Sequence, residues 1–155
     1  MLYLDSSALI KRYIHERGSS AIEARLQAGE KVFTSVFSFA EIHTVLGRKQ
    51  QNRELTGEAY GTLVEKFIRD WLFSLSPLEL DEKTMADLPD LVRRFPLKAA
   101  DAVHLASALW LYHTSRLVPS YAKGEQRLEF GVSDKQLARV ALECGLDVFD
   151  PEAGE

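Results

Sequence analysis

The sequence has little cysteine, no excess of basic residues and no long hydrophobic run. Cys144 is the one cysteine among 155 residues, so an internal disulfide cannot form and a cysteine-based zinc site is excluded. The formal net charge of −4 argues against an extended basic surface, so any nucleic acid would have to bind a local patch. No run of about 18 apolar residues occurs, and MLYLDSS lacks the basic segment that opens a secretion signal. We therefore expect a cytoplasmic protein that is neither exported nor membrane-spanning.

What the sequence does contain is typical of one globular domain. Hydrophobic residues make up 46% and charged residues 27% of the chain, which are ordinary values, and we assign residues 1–155 to a single domain. Short apolar or β-branched runs alternate with helical patterns, which predicts an α/β fold with a parallel sheet flanked by helices. The predicted strands are 2–4, 31–35, 74–80 and 128–133, the predicted helices are 6–14, 37–52, 57–73, 97–112 and 135–145, and the longest predicted loop is 115–127.

Four acidic residues follow the predicted strands. Asp5 and Asp134 each come directly after a strand, and Glu41 and Asp101 lie in the first turns of helices. Open parallel sheets bind ligands outside the carboxyl ends of their strands, where like charges near 5 Å would repel one another by about 3 kcal/mol per contact. A divalent cation would relieve this repulsion, and oxygen ligands without thiolates favour Mg²⁺ or Mn²⁺. The four acids therefore form a candidate metal site, of a kind that activates water to attack a phosphodiester.

Each of these acids also has an ordinary structural explanation. Asp5 and Asp134 begin helices and suit the N-cap position, where a carboxylate accepts backbone N–H groups. Glu41 would be a solvated residue on a helix surface, and Asp101 would pair with His104 on the next turn of the same helix. Spacing alone does not separate these explanations from a metal site, so both stay open at this point.

Two other classes of function are compatible with the same residues. An α/β phosphotransfer domain, either a haloacid-dehalogenase-like phosphatase or a receiver module, would use Asp5 as a covalent phosphoacceptor. The phosphatase pattern needs a second aspartate two residues later, where this sequence has Ser7. A non-catalytic interaction domain would use the acids only as caps and surface charges. It would show no Mg²⁺ or Mn²⁺ binding that depends on Asp5 and Asp101.

Four segments of the sequence occur in an order that is typical of one known family. They are LYLDSSALIKRYIHE, SVFSFAEIHTVL, KAADAVHLASAL and FGVSDKQLARVALECGL. Together they resemble the PIN-domain ribonucleases, and among them the VapC-type toxins of prokaryotic toxin–antitoxin pairs. The resemblance implies a PIN-like parallel sheet of four to five strands sandwiched between α-helices, Mg²⁺- or Mn²⁺-dependent cleavage of RNA, and frequent homodimers. It also implies that Asp5, Glu41, Asp101 and Asp134 hold the metal and its water, with Asp134 at the more variable position.

The resemblance also implies supporting residues and a partner. Ser6 and Ser133 fall where the family often has a hydroxyl beside the acids. The implied partner is a small VapB-like antitoxin, which we expect to lay an amphipathic helix against residues 6–14 and 37–53. An arginine of that helix would compete with the metal for the carboxylates.

Two further features bear on the site. Gly131 stands in the strand that leads to Asp134, where a glycine is typical of a β-bulge and would alter the placement of that acid. Basic residues follow several of the acids by a turn or two and are candidates for contacts with RNA phosphates. These candidates are Lys11, Arg12, Arg48, Lys49, Arg93, Arg94, Lys98 and Lys135.

Overall fold

Strands and helices alternate along the chain in the computed structural model, which describes residues 1–122 and 127–153. The strands are Leu2–Leu4 (β1), Val32–Ser35 (β2), Leu75–Leu78 (β3), Glu129–Gly131 (β4) and Asp147–Phe149 (β5). The helices are Ser6–Leu9 (α1), Ser19–Gln27 (α2), Phe37–Gln51 (α3), Gly57–Phe73 (α4), Leu88–Arg94 (α5), Ala99–Ser115 (α6), Pro119–Ala122 (α7) and Lys135–Glu143 (α8).

The five strands form one parallel sheet in the order β3-β2-β1-β4-β5. The chain runs outward from β1 through β2 to β3, and then crosses to the other side of β1 to form β4 and β5. The strand order therefore reverses beside β1. An open parallel sheet binds its ligands at such a reversal, in the crevice outside the carboxyl ends of β1 and β4. The predicted α/β fold is confirmed, and the sheet has five strands.

The central strand separates two hydrophobic cores. Successive side chains of a strand point to opposite faces of the sheet, so Leu2 and Leu4 pack in one core with Phe67 of α4. Tyr3 packs in the other core with Leu105 of α6 and Phe130 of β4. Helices thus cover both faces of the sheet, and α6 packs against β2.

The predicted bulge at Gly131 is wrong. Gly131 pairs in register with Leu4 of β1 and with Phe149 of β5, as a regular strand residue does. A glycine stands there for a different reason, because a Cβ atom at this position would lie 2.5 Å from Cδ2 of Leu4. The regular strand carries the chain directly to Asp134 at the carboxyl edge of the sheet.

Several predicted boundaries differ from the structure. The predicted helix at 6–14 is the short α1 followed by a 3-10 turn at Ile10–Arg12. β5, α2 and α5 are elements that the sequence patterns do not predict. The predicted loop at 115–127 contains the end of α6 and α7, while its residues 123–126 lie outside the described part of the chain. Within the two described ranges, no helix combines the length and the hydrophobicity needed to cross a membrane.

Candidate active site

Asp5 lies at the end of β1, beside the reversal of strand order, and is only 4% exposed. Its carboxylate accepts hydrogen bonds from the Ala8 N–H at 2.9 Å and from the Ser7 hydroxyl at 2.8 and 2.9 Å. Asp5 is therefore an N-cap of α1, as its position suggests, but a cap on a helix end need not be buried. Burial raises the pKa of Asp5 to about 6, although His104, Ala8 and Ser7 act to lower it. A cation beside Asp5 would stabilise its ionised form.

Ser7 joins the two loops that form the crevice. Its hydroxyl donates to Asp5 and accepts the backbone N–H of Ser133 at 3.0 Å. The loop after β1 is thereby tied to the loop after β4. The hydroxyl oxygen of Ser133 is itself buried and has no hydrogen-bond partner within the described ranges. Buried hydroxyls nearly always have a partner, so this group is suited to bind a ligand or water at the crevice.

Glu41 reaches the same region from the first turns of α3. Its Oε2 accepts a hydrogen bond from the Ser6 hydroxyl at 2.5 Å and lies 2.8 Å from Nε2 of His104. Burial alone would raise the pKa of Glu41, but the hydrogen bonds from His104 and Ser6 outweigh burial and hold the pKa below its usual value. The site thus favours an ionised Glu41, which does not fit a freely solvated surface residue.

Asp101 and Asp134 form the other half of the acidic group. Asp134 is exposed and caps α8, where its carboxylate accepts the Leu137 N–H at 2.8 Å. Burial and the charge of Asp134 raise the pKa of Asp101, against the opposing effect of Lys98 and His104. Asp101 is therefore close enough to Asp134 for the two carboxylates to repel each other.

Among the described residues, no hydrogen bond or ion pair joins Asp101 to His104, so the ordinary structural explanation of Asp101 as a local pair does not apply. The His104 ring instead hydrogen-bonds the phenol of Tyr3, the hydroxyl of Ser6 and the carboxylate of Glu41. His104 is 2% exposed, and it interacts electrostatically with Asp5, Glu41 and Asp101. Lys98 and His104 lower the pKa of Asp101, but burial and the charge of Asp134 outweigh them.

The charge of Glu41 contributes to the raised pKa of Asp5, and the charge of Asp134 contributes to that of Asp101. Across residues 1–122 and 127–153, no three acidic, histidine or cysteine side chains are placed closely enough to hold a metal ion together. The chemistry of the donor set nevertheless fits a hard divalent cation, because all four groups present carboxylate oxygens. The raised pKa values of Asp5 and Asp101 and the unpartnered Ser133 hydroxyl fit it too.

The candidate phosphate-binding residues fall into two sets. One set is held by acidic groups: Lys11 is 5% exposed and bonds Glu16 and Glu152, and the other members pair with carboxylates nearby. These other members are Arg12 with Glu23 and Asp70, Lys49 with Glu54, and Arg93 with Asp90. The second set is exposed and comprises Arg48, Arg94, Lys98 and Lys135. Lys98 precedes α6 and Lys135 directly follows Asp134, so these two border the acids.

Sequence reasoning missed three residues of this site. In the sequence, Ser7 is notable only because a phosphatase would have an aspartate there, and Tyr3 only belongs to a predicted strand. Helical spacing places His104 beside Asp101 and gives no sign of its contacts with Tyr3 and Glu41. The sequence carries one weak signal for His104, which is a polar ring in the middle of an Ala-rich apolar helix.

Comparisons with known proteins agree with this geometry. The PIN domain family matches residues 2–131 of the chain. Ribonuclease VapC45 of Mycobacterium tuberculosis (strain CDC 1551 / Oshkosh) is 32% identical over 148 residues, which are 96% of this chain and 94% of that protein. Ribonuclease VapC49 of M. tuberculosis (strain ATCC 25618 / H37Rv) gives the same values. The crystal structure of FitAcB from Neisseria gonorrhoeae superposes with a TM-score of 0.69 at 19% identity, covering 99% of both chains, which shows a shared fold.

Proposed function

Because the chain belongs to the PIN-domain family, we propose that it is an endoribonuclease of the VapC toxin type that depends on Mg²⁺ or Mn²⁺. It hydrolyses RNA with an activated water and forms no covalent enzyme intermediate. The observation that carries this proposal is Asp5, a carboxyl group only 4% exposed at the reversal of strand order. Burying such a group costs free energy unless a cation compensates it.

Asp5, Glu41, Asp101 and Asp134 would hold the metal ion. When bound, the ion supplies a water of lowered pKa and neutralises charge on the phosphate oxygens. The chain's own groups prepare the carboxylates for this role. Ser7 and the Ala8 N–H fix the orientation of Asp5, and the hydrogen bonds to Glu41 keep it ionised.

We assign the first phosphate contacts to Lys98, Lys135 and Arg48, which are exposed. Lys98 and Lys135 border Asp101 and Asp134, where the phosphate of a bound RNA would have to approach. Lys11 is enclosed by Glu16 and Glu152, and a buried, paired ammonium group is poorly placed to attract a phosphate. We therefore assign it, together with Arg12, to holding the fold.

The proposal predicts that Asp101→Asn abolishes cleavage of RNA without unfolding the protein. The carboxylate of Asp101 would be lost as a ligand, while the amide keeps nearly the same volume. Single-stranded RNA incubated with Mn²⁺ and wild type should give fragments with 5′-phosphate and 3′-hydroxyl ends, and EDTA should stop the reaction. Asp147→Asn is a matched control, because Asp147 is exposed at the amino end of β5, away from the carboxyl edge of the sheet. Equal cleavage by wild type and Asp101→Asn, or cleavage that EDTA leaves unchanged, would contradict the proposal.

A non-catalytic interaction domain is the second candidate function. The observation that favours it is that no three-residue cluster able to hold a metal ion lies in the described ranges. Calorimetric titration with Mn²⁺ separates the two candidates, because the nuclease requires binding that Asp5→Asn and Asp101→Asn weaken. Membership of the PIN-domain family gives no support to the phosphotransfer alternative.

We also propose that a VapB-like antitoxin holds the enzyme inactive and that the enzyme forms a homodimer. Phe37 and Phe39 of α3 are 37% and 40% exposed, and they offer apolar surface to an amphipathic helix within the predicted contact region at 37–53. Hydrogen exchange on the complex with the antitoxin should show protection of residues 6–14 and 37–53. Protection confined to 57–92 would refute blocking at the crevice and would leave the nuclease proposal intact.

A further inference from the structure

A chain of hydrogen-bonded side chains runs from the core to Glu41. Tyr3 is fully buried, and its phenol oxygen lies 3.1 Å from Nδ1 of His104. The opposite ring nitrogen of His104, Nε2, lies 2.8 Å from Oε2 of Glu41. Tyr3 comes from β1, Glu41 from α3 and His104 from α6. Three separate elements therefore meet to make one polar connection.

The chemistry of the partners decides where the ring proton lies. An ionised carboxylate only accepts hydrogen bonds, whereas a phenol can both donate and accept. If Nε2 carried no hydrogen, two acceptors would face each other at 2.8 Å. A hydrogen on Nε2 satisfies Glu41, and the phenol of Tyr3 can then donate to Nδ1. This placement of the hydrogens gives a partner to each of the polar atoms that link Tyr3, His104 and Glu41, as a buried hydrogen-bond network requires.

The bonds around Glu41 all end on one of its two oxygens. The Ser6 hydroxyl donates to Oε2, and the Ser6 oxygen lies 3.1 Å from Nε2 of His104. Within the described part of the chain, the hydrogen bonds to Glu41 therefore fix Oε2 and leave Oε1 without a protein donor. A flexible carboxylate of which one oxygen is fixed by two donors has few orientations left.

We propose that His104 is a positioning residue that fixes the orientation of Glu41 by donating from Nε2, with Tyr3 holding the ring in place through Nδ1. This inference rests on the proposed function, in which Glu41 is a metal ligand through its remaining oxygen. Hydrogen-bond partners of metal-binding carboxylates and imidazoles orient the ligands, and their loss typically weakens metal binding about 10- to 100-fold.

A core histidine without a role at the site would explain part of this geometry but not all of it. Its burial would be satisfied by partners within the core, such as Tyr3. Glu41, however, keeps 25% of its side chain exposed, so water is available to solvate it. His104 and Ser6 nevertheless both hydrogen-bond this carboxylate. Since water could solvate it, we infer that these bonds serve to fix the orientation of Glu41.

The first test reads the tautomer directly in the metal-free wild type. Long-range ¹H–¹⁵N correlation spectra of ¹⁵N-labelled protein at pH 8 distinguish protonated from bare ring nitrogens. We expect the His104 spectrum to show a protonated Nε2. A bare Nε2 would overturn the proposal whether or not the protein is a nuclease.

The second test compares Mn²⁺ affinity among His104 variants by calorimetry. A glutamine amide reaches the position of Nε2, so His104→Gln should retain most of the wild-type affinity. An asparagine amide reaches only the position of Nδ1, so His104→Asn, like His104→Leu, should bind Mn²⁺ about 10- to 100-fold more weakly. His113→Gln is the control, because His113 is exposed on the same helix.

A further variant, Tyr3→Phe, tests the proposal even if the His104 variants fail to fold. Tyr3→Phe keeps the buried ring and removes only the hydroxyl, so it should fold and give an intermediate loss of Mn²⁺ affinity. Equal affinity in wild type, Tyr3→Phe, His104→Gln and His104→Asn would overturn the positioning role while the nuclease proposal stands. Absence of Mn²⁺ binding in the wild type itself would instead overturn the proposed function and, with it, the role of His104.

Discussion

The side chain of Asp5, which follows β1, caps helix α1 and is also a buried carboxyl group. Asp5 accepts the Ala8 N–H, which satisfies a backbone donor at the start of α1. Its hydrogen bonds favour the carboxylate, whereas its burial favours the neutral acid. The pKa of Asp5 rises from 3.8 to about 6, so burial is the larger effect. Asp5 therefore lowers the stability of the metal-free protein near neutral pH.

At the scale of this residue, we predict that Asp5→Asn stabilises the metal-free protein in a pH-dependent way. The folded protein holds the Asp5 proton more tightly than the unfolded chain does, so wild type loses stability as pH rises from about 4 to about 6. Asparagine does not ionise, and its side-chain oxygen can still accept the Ala8 N–H. Its amide N–H can donate to the hydroxyl oxygen of Ser7. The variant should match wild type below pH 4 and exceed it by about 3 kcal/mol above pH 6.

Urea unfolding in EDTA between pH 3.5 and 8 measures this difference, with Asp147→Asn as the control for removal of an exposed carboxylate. A stability difference that stays constant across the whole pH range would show that Asp5 does not carry the shifted pKa.

Single residues also show where sequence reasoning stops. The four acids could be selected from the sequence because each follows a strand or begins a helix, and those positions are set by local pattern. The contacts of His104 could not, because Tyr3 and Glu41 are far from it along the chain. A residue three positions away on the same helix, Asp101, was the better candidate by spacing. Only the packing of α6 against the sheet decides between the two.

At the scale of elements, β4 depends on the absence of one side chain. Gly131 pairs with strands on both sides, and a Cβ atom there would lie 2.5 Å from Cδ2 of the fully buried Leu4. We predict that Gly131→Ala destabilises the protein by about 1 to 3 kcal/mol, as overpacking of a core does. Denaturant unfolding measures this cost.

A double variant identifies the cause. Leu4→Val removes the δ carbons that the new Cβ atom would meet, at a cost of its own. If the clash is the cause, Gly131→Ala combined with Leu4→Val should cost less than the sum of the two single changes. Additive costs would mean that glycine is needed in β4 for another reason.

Long or fully buried elements could be predicted from the sequence, whereas short and partly exposed ones could not. α3 and α4 were predicted nearly residue by residue, because long helices repeat their pattern several times. β5 has three residues, Asp147–Phe149, with one exposed and two half-buried. So short a strand shows no readable alternation and exists through its pairing with β4. The 3-10 turn after α1 was likewise unpredictable, since it continues the apolar pattern of a helix.

At the scale of the whole molecule, the proposed metal would connect both halves of the sheet. The loops after β1 and β4 carry Asp5 and Asp134, and the helices α3 and α6 carry the other two acids. A ligand that binds only the folded state stabilises it by mass action, by about 2.7 kcal/mol at 100 times its Kd. Mn²⁺ should therefore raise the melting temperature of wild type.

The same titration should raise the melting temperature of Asp5→Asn and Asp101→Asn much less, while Asp147→Asn should respond like wild type. Thermal unfolding followed by circular dichroism over a range of Mn²⁺ concentrations gives the comparison. Identical shifts in all four proteins would mean that the ion binds somewhere other than these acids.

The strand order also sets when the site is completed during synthesis. β1 is translated first, but its neighbour β4, which leads to Asp134, begins only at Glu129. Until the ribosome has passed residue 134, the nascent chain carries at most three of the four acids. The proposed nuclease would therefore stay incomplete beside the messenger and ribosomal RNA that are producing it.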